Sequence, residues 1–194
     1  MRFFRVESSK NELDIDSTIK SSGRYSEYLQ QEDEAAKLKC AIEDALDECN
    51  PNGRFRRRDC LFVFEELKDA LIFSANIHRG NALIYEVSAS CPDILHKGDM
   101  NLLDLLSISF KDEKAEDNIE LLKNICGKYW GKQNRTHSPC FEYLLNQAKV
   151  EKLLCSAGEC LSFHNEYKNC QCGYPLRPIE QSSVYQSKMK EYYK

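Results

Sequence analysis

The feature that most constrains the fold is a strand pattern followed at once by a helix pattern in the middle of the chain. Leu61–Phe64 is a short apolar run typical of a buried strand, and residues 65–76 place apolar side chains at helical spacing. Residues 83–87 are again strand-like, and Cys91-Pro92-Asp93 ends that pattern. The middle of the chain therefore predicts a strand–helix–strand unit.

The other predicted elements mix helices and strands in an irregular order. Two aromatic residues in an alternating pattern predict a strand at residues 2–6, and an apolar stripe predicts a helix over residues 26–49. Further predictions are helices over 101–108 and 116–130, a short helix over 139–146 and a closing strand over 150–155. This order predicts an α+β fold with a mixed sheet, a long N-terminal helical insertion and several helices, rather than a doubly wound sheet.

Length and composition suit one globular domain with an appendage. Of the 194 residues, 42% are hydrophobic and 30% are charged, which argues against wholesale disorder. After Ser156 the sequence becomes polar and is punctuated by cysteines. We therefore expect a main domain over residues 1–155 and a Cys/His-containing C-terminal appendage over residues 156–194.

Charge and hydropathy argue against several partners. The net charge of −4 gives no global attraction to nucleic acid or to an anionic membrane. No apolar run approaches the roughly 20 residues that a membrane-spanning helix needs. The first residues lack the apolar core of a signal peptide, because Glu7, Lys10 and Glu12 interrupt it. We expect a cytoplasmic protein with no membrane partner.

Ten cysteines are many for a chain of this length. Without a secretion signal, free thiols are favoured over disulfides. In and just before the appendage, five side chains supply enough ligands for zinc, which takes four: Cys155, Cys160, His164, Cys170 and Cys172. Their spacing lacks the paired Cys-x2-Cys knuckle, so we expect structural or incidental cysteines and no bound metal.

Four side chains are candidates for binding and catalysis. Arg5, Phe62 and Asp99 combine a cation, an aromatic ring and a carboxylate, and their order along the predicted elements suggests chemistry on NAD. Glu86 is the alternative acid, because an inward carboxylate in a strand is costly unless it is paired or catalytic. Each has a structural alternative: Arg5 as an edge-strand residue covering the core, Phe62 as a core residue, and Asp99 as a surface cap of the following helix.

A run of arginines precedes the strand that carries Phe62. Arg54, Arg56, Arg57 and Arg58 concentrate positive charge in an acidic chain. We assign Arg58 to the diphosphate of NAD and the other three to a nucleic-acid backbone. The structural alternative is a solvated loop, which explains most charge runs.

These segments resemble the ADP-ribosyltransferase superfamily, enzymes that consume NAD. Phe3-Phe4-Arg5-Val6-Glu7 is similar to the first strand of the cholera-toxin-like members. Residues 61–75 followed by 82–87 resemble the strand–helix–strand middle of these enzymes. Gly98-Asp99-Met100-Asn101-Leu102 falls where the small rifamycin-modifying transferases place their catalytic aspartate.

The resemblance extends through residues 2–155. Tyr129-Trp130 and Phe141-Glu142-Tyr143-Leu144 resemble blocks of an uncharacterised bacterial family in the same superfamily. The resemblance thus implies an ADP-ribosyltransferase-like domain over residues 1–155. The segment at Asp99 lacks the Glu-x-Glu or Gln-x-Glu pair of the arginine-modifying members, which argues against arginine as the acceptor.

The resemblance also implies a role for each candidate residue. Arg5 would hold the phosphate or ribose side of NAD, a task suited to a planar guanidinium. Phe62 would stack on the nicotinamide. Asp99, or Glu86 in its place, would hydrogen-bond the nicotinamide ribose and stabilise the positive charge that develops as the glycosidic bond breaks.

The implied activity is that of an NAD-dependent mono-ADP-ribosyltransferase, acting as a toxin or defence effector in a bacterium or its phage. The acceptor is nucleic acid, which the arginines slightly favour, or protein, and an antitoxin or inhibitor protein is a further expected partner. Two alternatives stay open. One is a catalytically degenerate binding module with a zinc-stabilised appendage, and the other is an NAD glycohydrolase that uses water as the acceptor.

Overall fold

The computed structural model describes residues 1–21, 23–111, 119–131, 136, 139–171 and 179–192. These residues form a mixed α+β protein, which confirms the predicted class. The described strand pairs are antiparallel, whereas a mixed sheet was predicted. The contacts within the chain divide it into two compact units. The first unit comprises Met1–Ile19, Val63–Cys91 and Ala148–Lys194, and the second comprises Lys20–Phe62 and Pro92–Gln147.

Strands and helices alternate irregularly along the described residues. In chain order they are β1 Arg2–Ser8, β2 Thr18–Lys20, α1 Arg24–Leu29, α2 Glu34–Glu48, β3 Leu61–Phe64, α3 Leu67–Ile77, β4 Ala82–Ser88, β5 Ile94–Asp99, α4 Asn101–Lys111, α5 Ile119–Trp130, β6 Phe141–Leu145, β7 Gln147–Cys155, α6 Ala157–Gln171 and α7 Ser183–Tyr192. A short 3-10 helix, Arg57–Asp59, precedes β3. None of the helices in the described ranges has both the length and the apolar character needed to cross a membrane.

Strands in the order β2-β7-β4-β1-β3 form the framework of the first unit, which includes β2 up to Ile19 and β3 from Val63. β1 therefore lies between β4 and β3, and it is antiparallel to both. The register of β1 against β4 runs without a shift from Arg2 opposite Ser88 to Ser8 opposite Ala82. Because successive side chains of a strand point to opposite faces, this register fixes which side chains of β1 and β4 share a face.

Helices of the first unit pack on one face of this sheet. The ring of Phe4 in β1 lies 5.5 Å from that of Tyr192 in α7. Phe64 lies opposite Phe4, and its ring is 5.1 Å from that of Phe73 in α3. α6 packs on α3. The face that bears Phe4 is thus the helix-covered face of the sheet.

The core of the second unit is formed by α2, α4, α5 and β6. Leu46, Leu106, Cys126 and Leu144, one from each element, are fully buried in a single cluster. Trp130 at the end of α5 joins this cluster and donates its indole N–H to the carbonyl oxygen of Leu46 at 2.8 Å. This hydrogen bond gives the buried indole the polar partner that it needs.

Most predicted elements are confirmed, with small changes at their ends. The strands predicted at residues 2–6, 61–64, 83–87 and 150–155 are β1, β3, β4 and β7, and the helices predicted at 65–76 and 101–108 are α3 and α4. The helix predicted at 116–130 is α5, which is described from Ile119, and its predicted first residues lie outside the described residues.

The helix predicted over residues 26–49 is two helices. α1 ends at Leu29, and α2 begins after Asp33. The carboxylate of Asp33 accepts a hydrogen bond from the N–H of Ala36 at 2.9 Å. The aspartate therefore starts a new helix as its N-cap, where the sequence pattern had suggested a continuous one.

The prediction of a helix over residues 139–146 is wrong. Phe141–Leu145 is the strand β6, which pairs antiparallel with β5. Aromatic and apolar side chains suit a paired strand, and this pairing outweighs the tolerance of Pro139 for the first turn of a helix. β5 was not predicted, because His96, Lys97 and Gly98 give it no alternating apolar pattern.

Helices α6 and α7, which lie in the segment expected to be a C-terminal appendage, belong to the first unit. Cys155 at the end of β7 and Cys160 in α6 are buried free thiols. Cys172 and the side chain of Cys170 lie outside the described residues. Within the described residues, no three potential metal-ligating side chains group together.

The turn between α3 and β4 requires a glycine. Gly80 has a φ angle of 77°, in the left-handed region that glycine adopts without penalty. A Cβ atom on Gly80 would lie 2.7 Å from Cβ of His164 and 2.8 Å from Cα of Leu161. α6 therefore packs directly against the backbone of this turn.

We expect Gly80→Ala to lower the free energy of unfolding by about 2–4 kcal/mol, because overpacking adds to the left-handed penalty. Gly53→Ala is the matched control, since Gly53 has a φ angle of 55° but a Cβ atom there would meet nothing within 4 Å. It should lose only the left-handed penalty of about 1–2 kcal/mol. Denaturant unfolding followed by circular dichroism measures both, and equal losses would contradict the close packing at Gly80.

Candidate functional site

Arg5 lies on β1 of the first unit and forms an ion pair with a neighbour on the same strand. Its Nε and Nη2 both donate to Oε1 of Glu7, at 2.9 and 2.6 Å. Only 17% of the Arg5 side chain and 12% of the Glu7 side chain are exposed. Residues two apart on a strand share a face, so this pair belongs to one face of the sheet.

The strand register decides which residues share that face with Arg5. Arg5 lies opposite Tyr85, whereas Glu86 lies opposite Phe4. Directly opposed side chains of antiparallel strands point to the same face. Glu86 is therefore on the helix-covered face with Phe4, and Arg5 is on the other face. The structure does not bring Arg5 and Glu86 together.

Glu86 has cationic partners of its own. Its carboxylate lies 3.4 Å from Nε of Arg2 and 3.3 Å from Nζ of Lys152. The Glu86 side chain is 4% exposed, while those of Arg2 and Lys152 extend into solvent. These ion pairs offset the cost of a buried carboxylate, which was the reason for considering Glu86 as an acid.

Asp99 is buried in the second unit, so the prediction that it lies at the surface is wrong. Its Oδ1 accepts from the backbone N–H groups of Asn101 and Cys140, both at 3.1 Å. Its Oδ2 accepts from the N–H and the hydroxyl of Thr136, at 2.8 and 2.7 Å. A carboxylate has about four acceptor sites. Asp99 is thus saturated by donors that tie residues 136 and 140 to the start of α4.

Phe62 packs against a cation in the second unit. The guanidinium carbon of Arg57 lies 4.6 Å from the centre of the Phe62 ring. Tyr25 of α1 meets the same ring edge-on, with the ring centres 5.7 Å apart. One face of Phe62, the ring predicted to stack on nicotinamide, is therefore engaged in a cation–π contact.

Arg57 lies at the centre of a buried hydrogen-bond network, not on an exposed surface. Its Nε and Nη2 donate to the two carboxylate oxygens of Glu142 at 2.8 and 2.9 Å, and its Nη1 donates to Glu43. The hydroxyl of Tyr129 donates to Glu142 at 2.6 Å, and that of Tyr25 donates to Glu43 at 2.9 Å. The network thus joins α1, α2, α5 and β6 to the 3-10 helix that carries Arg57.

One guanidinium faces two carboxyl groups in this network, so the charges balance when one carboxyl group holds a proton. Burial raises the pKa of Glu43 above its ordinary value, and attraction by Arg57 offsets this only in part. Glu142 accepts two hydrogen bonds from Arg57 and one from Tyr129, a pattern that suits an ionised carboxylate. Burial also raises the pKa of the Tyr25 and Tyr129 hydroxyls, so both remain donors.

The other arginines of the run divide between paired and exposed positions. Nη2 of Arg58 lies 2.5 Å from Asp44 and 3.0 Å from Asp47, and its side chain is 14% exposed. Arg56 is 67% exposed, with Asp47 3.9 Å away, and Arg54 is exposed. Arg54 and Arg56 are therefore placed to contact a phosphate in solution. The guanidinium of Arg58 instead pairs with carboxylates of α2.

Sequence reasoning missed Glu43 and Glu142 as members of this cluster. Glu43 follows Ala36 by seven residues and precedes Leu46 by three, so helical spacing places it on the buried stripe of α2. Glu142 shares a face of β6 with Leu144, which is fully buried. This alternation was not recognised in the sequence, because residues 139–146 were predicted to be a helix.

A scan against models of known protein families and a search among curated proteins both give no match to this chain. Function must therefore be inferred from the sequence resemblance and from the geometry within each unit. In the first unit this geometry is the Arg5–Glu7 pair, and in the second it is the Arg57 network and the saturated Asp99.

We expect Glu142→Gln to lower the free energy of unfolding by about 3–5 kcal/mol, because it leaves buried Arg57 without its ionised bidentate partner. Glu43→Gln is the matched variant in the same network. Its amide resembles the protonated form of Glu43, so the expected loss is about 1 kcal/mol. Denaturant unfolding at neutral pH measures both losses. Equal losses would contradict the assignment of the ionised carboxylate to Glu142.

Proposed function

We propose that the protein is an NAD-dependent mono-ADP-ribosyltransferase that acts as a toxin or defence effector, with an antitoxin or inhibitor protein as a partner. The observation that carries this proposal, beside the sequence resemblance, is the position of Arg5. It is a largely buried cation on an interior strand, on the sheet face opposite to the one that α3 and α7 cover. A guanidinium held in that way suits charge-assisted binding of a dinucleotide diphosphate.

The proposed reaction is a substitution at C1′ of the nicotinamide ribose. The bond from C1′ to the nicotinamide nitrogen breaks, nicotinamide leaves with the bonding electrons, and the acceptor bonds to C1′ and loses a proton. No oxidation takes place. Positive charge develops on the ribose in the transition state, and a fixed anion beside it contributes several kcal/mol of stabilisation.

Asp99 is the carboxylate that we retain for this role. Glu86 lies on the helix-covered face of the sheet, where Arg2 and Lys152 pair with it. Because Asp99 is saturated, a ribose hydroxyl must replace one of its donors. The hydroxyl of Thr136 is the donor that can leave without breaking a backbone hydrogen bond.

Arg5 is a sharper test of the proposal than Asp99. Asp99→Ala would leave the donors of Asn101, Thr136 and Cys140 without their acceptor. A loss of activity in that variant would not separate catalysis from folding. Phe62 is also less suitable, because its ring packs against the buried Arg57.

We expect Arg5→Ala to abolish the transfer of label from NAD and to weaken NAD binding about tenfold or more, because a charge-assisted contact is lost. Arg5→Lys should restore only part of the affinity, since an ammonium group cannot reproduce the planar fork. Arg2→Ala is the matched control, because Arg2 lies on the same strand but is exposed and on the other face. Calorimetry with NAD and incubation with adenylate-labelled NAD and cell lysate provide the two measurements.

Each result of this experiment points to one function. Transfer by the wild type and by Arg2→Ala, with none by Arg5→Ala, supports the proposal. Unchanged transfer by Arg5→Ala contradicts the proposed site. A wild type that binds no NAD favours the non-enzymatic binding module, an alternative with which the saturation of Asp99 agrees. Release of nicotinamide without labelled macromolecules indicates an NAD glycohydrolase.

Nucleic acid is the acceptor that we propose in preference to protein. Arg54 and Arg56 are exposed, and they lie two residues apart before β3. Guanidinium groups in this position suit contacts with a phosphate backbone, which orient a nucleic acid without reading its sequence. Arg57 and Arg58 are excluded from this surface by their carboxylate partners.

We expect the double change Arg54→Gln and Arg56→Gln to slow the labelling of RNA or DNA and to leave NAD binding intact. The slope of log affinity against log salt should become shallower by about 0.7–0.9 for each lost phosphate contact. The control, Lys37→Gln with Lys123→Gln, removes the same charge from exposed sites on α2 and α5. Label that resists nuclease, disappears with protease and forms at the wild-type rate in the double variant would contradict a nucleic-acid acceptor.

A further inference from the structure

Glu7 binds the edge of the Arg5 guanidinium that carries Nε and Nη2. One carboxylate oxygen, Oε1, accepts from both Nε and Nη2 of Arg5, at 2.9 and 2.6 Å. Both side chains are more than four-fifths buried. A charge-assisted contact of this length, largely removed from water, restricts the guanidinium far more than a surface ion pair does.

The neighbouring strand places a buried ring opposite Arg5. Tyr85 of β4 lies directly opposite Arg5 on the same face and is 2% exposed. Its hydroxyl accepts a hydrogen bond from the N–H of Leu13 at 3.0 Å, which fixes the ring. An arginine side chain carries about 2 kcal/mol of rotamer entropy. The contact with Glu7 removes much of this freedom from Arg5.

We infer that Glu7 is a positioning residue that orients the guanidinium of Arg5 for the diphosphate of NAD. This inference rests on the proposed function and deepens it. A guanidinium that is ordered before the ligand arrives binds with a smaller loss of entropy. The negative charge of Glu7 also repels the diphosphate, so Glu7 has two opposing effects that substitutions can separate.

Two substitutions separate orientation from charge. Glu7→Asp keeps the charge but shortens the side chain by one methylene, so the contact with Arg5 is lost. Glu7→Gln removes the charge but keeps an acceptor oxygen at the same reach. Orientation predicts that NAD binding weakens about tenfold in Glu7→Asp and only about threefold in Glu7→Gln. Charge repulsion without orientation predicts unchanged binding in Glu7→Asp and tighter binding in Glu7→Gln.

Calorimetric titration of NAD into the full-length protein measures these affinities. Glu151→Asp is the matched control, because Glu151 is a strand glutamate of the same unit whose carboxylate accepts from Ser88. The KM for NAD should rise in Glu7→Asp while kcat stays at the wild-type value, a split that a merely structural role would not produce. In an Arg5→Lys background the effect of Glu7→Asp should disappear, because Glu7 acts through the guanidinium.

The outcomes separate this inference from the proposed function. A wild type that binds no NAD overturns both. A wild type that binds NAD, together with equal binding by Glu7→Asp, overturns the inference and leaves the proposed function standing. If Glu7→Asp lowers the melting temperature, Glu7→Gln decides: tighter binding than in the wild type overturns the inference, and a loss of about threefold supports it.

Discussion

The buried pair of Arg57 and Glu142 is the interaction on which the arrangement of the second unit depends. Removing both charges from water is costly, and hydrogen-bond partners within the network offset that cost. Those partners come from separate elements: Glu43 from α2, Glu142 from β6 and Tyr129 from α5. Gly98 of β5 extends the constraint, because a Cβ there would collide with the ring of Tyr129. The elements must therefore assemble around the network together.

In the first unit, the alternation of side chains along β1 determines which residues lie beside Arg5. Phe4 faces the helices, where Tyr192 packs on its ring, so its neighbour Arg5 faces the other way. A slip of one residue would exchange the faces of Arg5 and Phe4 and place the guanidinium on the side that α7 covers. The same alternation sends Glu86 to the helix side and leaves Glu7 beside Arg5. The choice of carboxylate next to this cation is thus a consequence of core packing.

Local patterns predicted those parts of the fold whose burial is regular. β1 and β4 were predicted because alternation or a continuous apolar run is visible within a few residues. β5 was not, because its His96-Lys97-Gly98 segment becomes a strand only by pairing with β6. The burial of Arg57 within the arginine run was not predicted, for a related reason. Arg57 differs from its neighbours through Glu43 and Glu142, which lie 14 and 85 positions away in the sequence. No local pattern contains that information.

Asp99 was proposed as a site residue from its motif, and that motif is consistent with two roles. A carboxylate after a glycine and before a helix suits both a helix cap and a fixed catalytic anion. The two roles differ in whether an acceptor site remains for a ligand. Three of the four donors to Asp99 are backbone N–H groups, which have few other partners, and the fourth is the hydroxyl of Thr136. Under the proposed function, a ribose hydroxyl, which is chemically equivalent to that fourth donor, would replace it while the cap on α4 stays intact. The two roles of Asp99 are therefore compatible, and the exchange at Thr136 is the step on which a catalytic role depends.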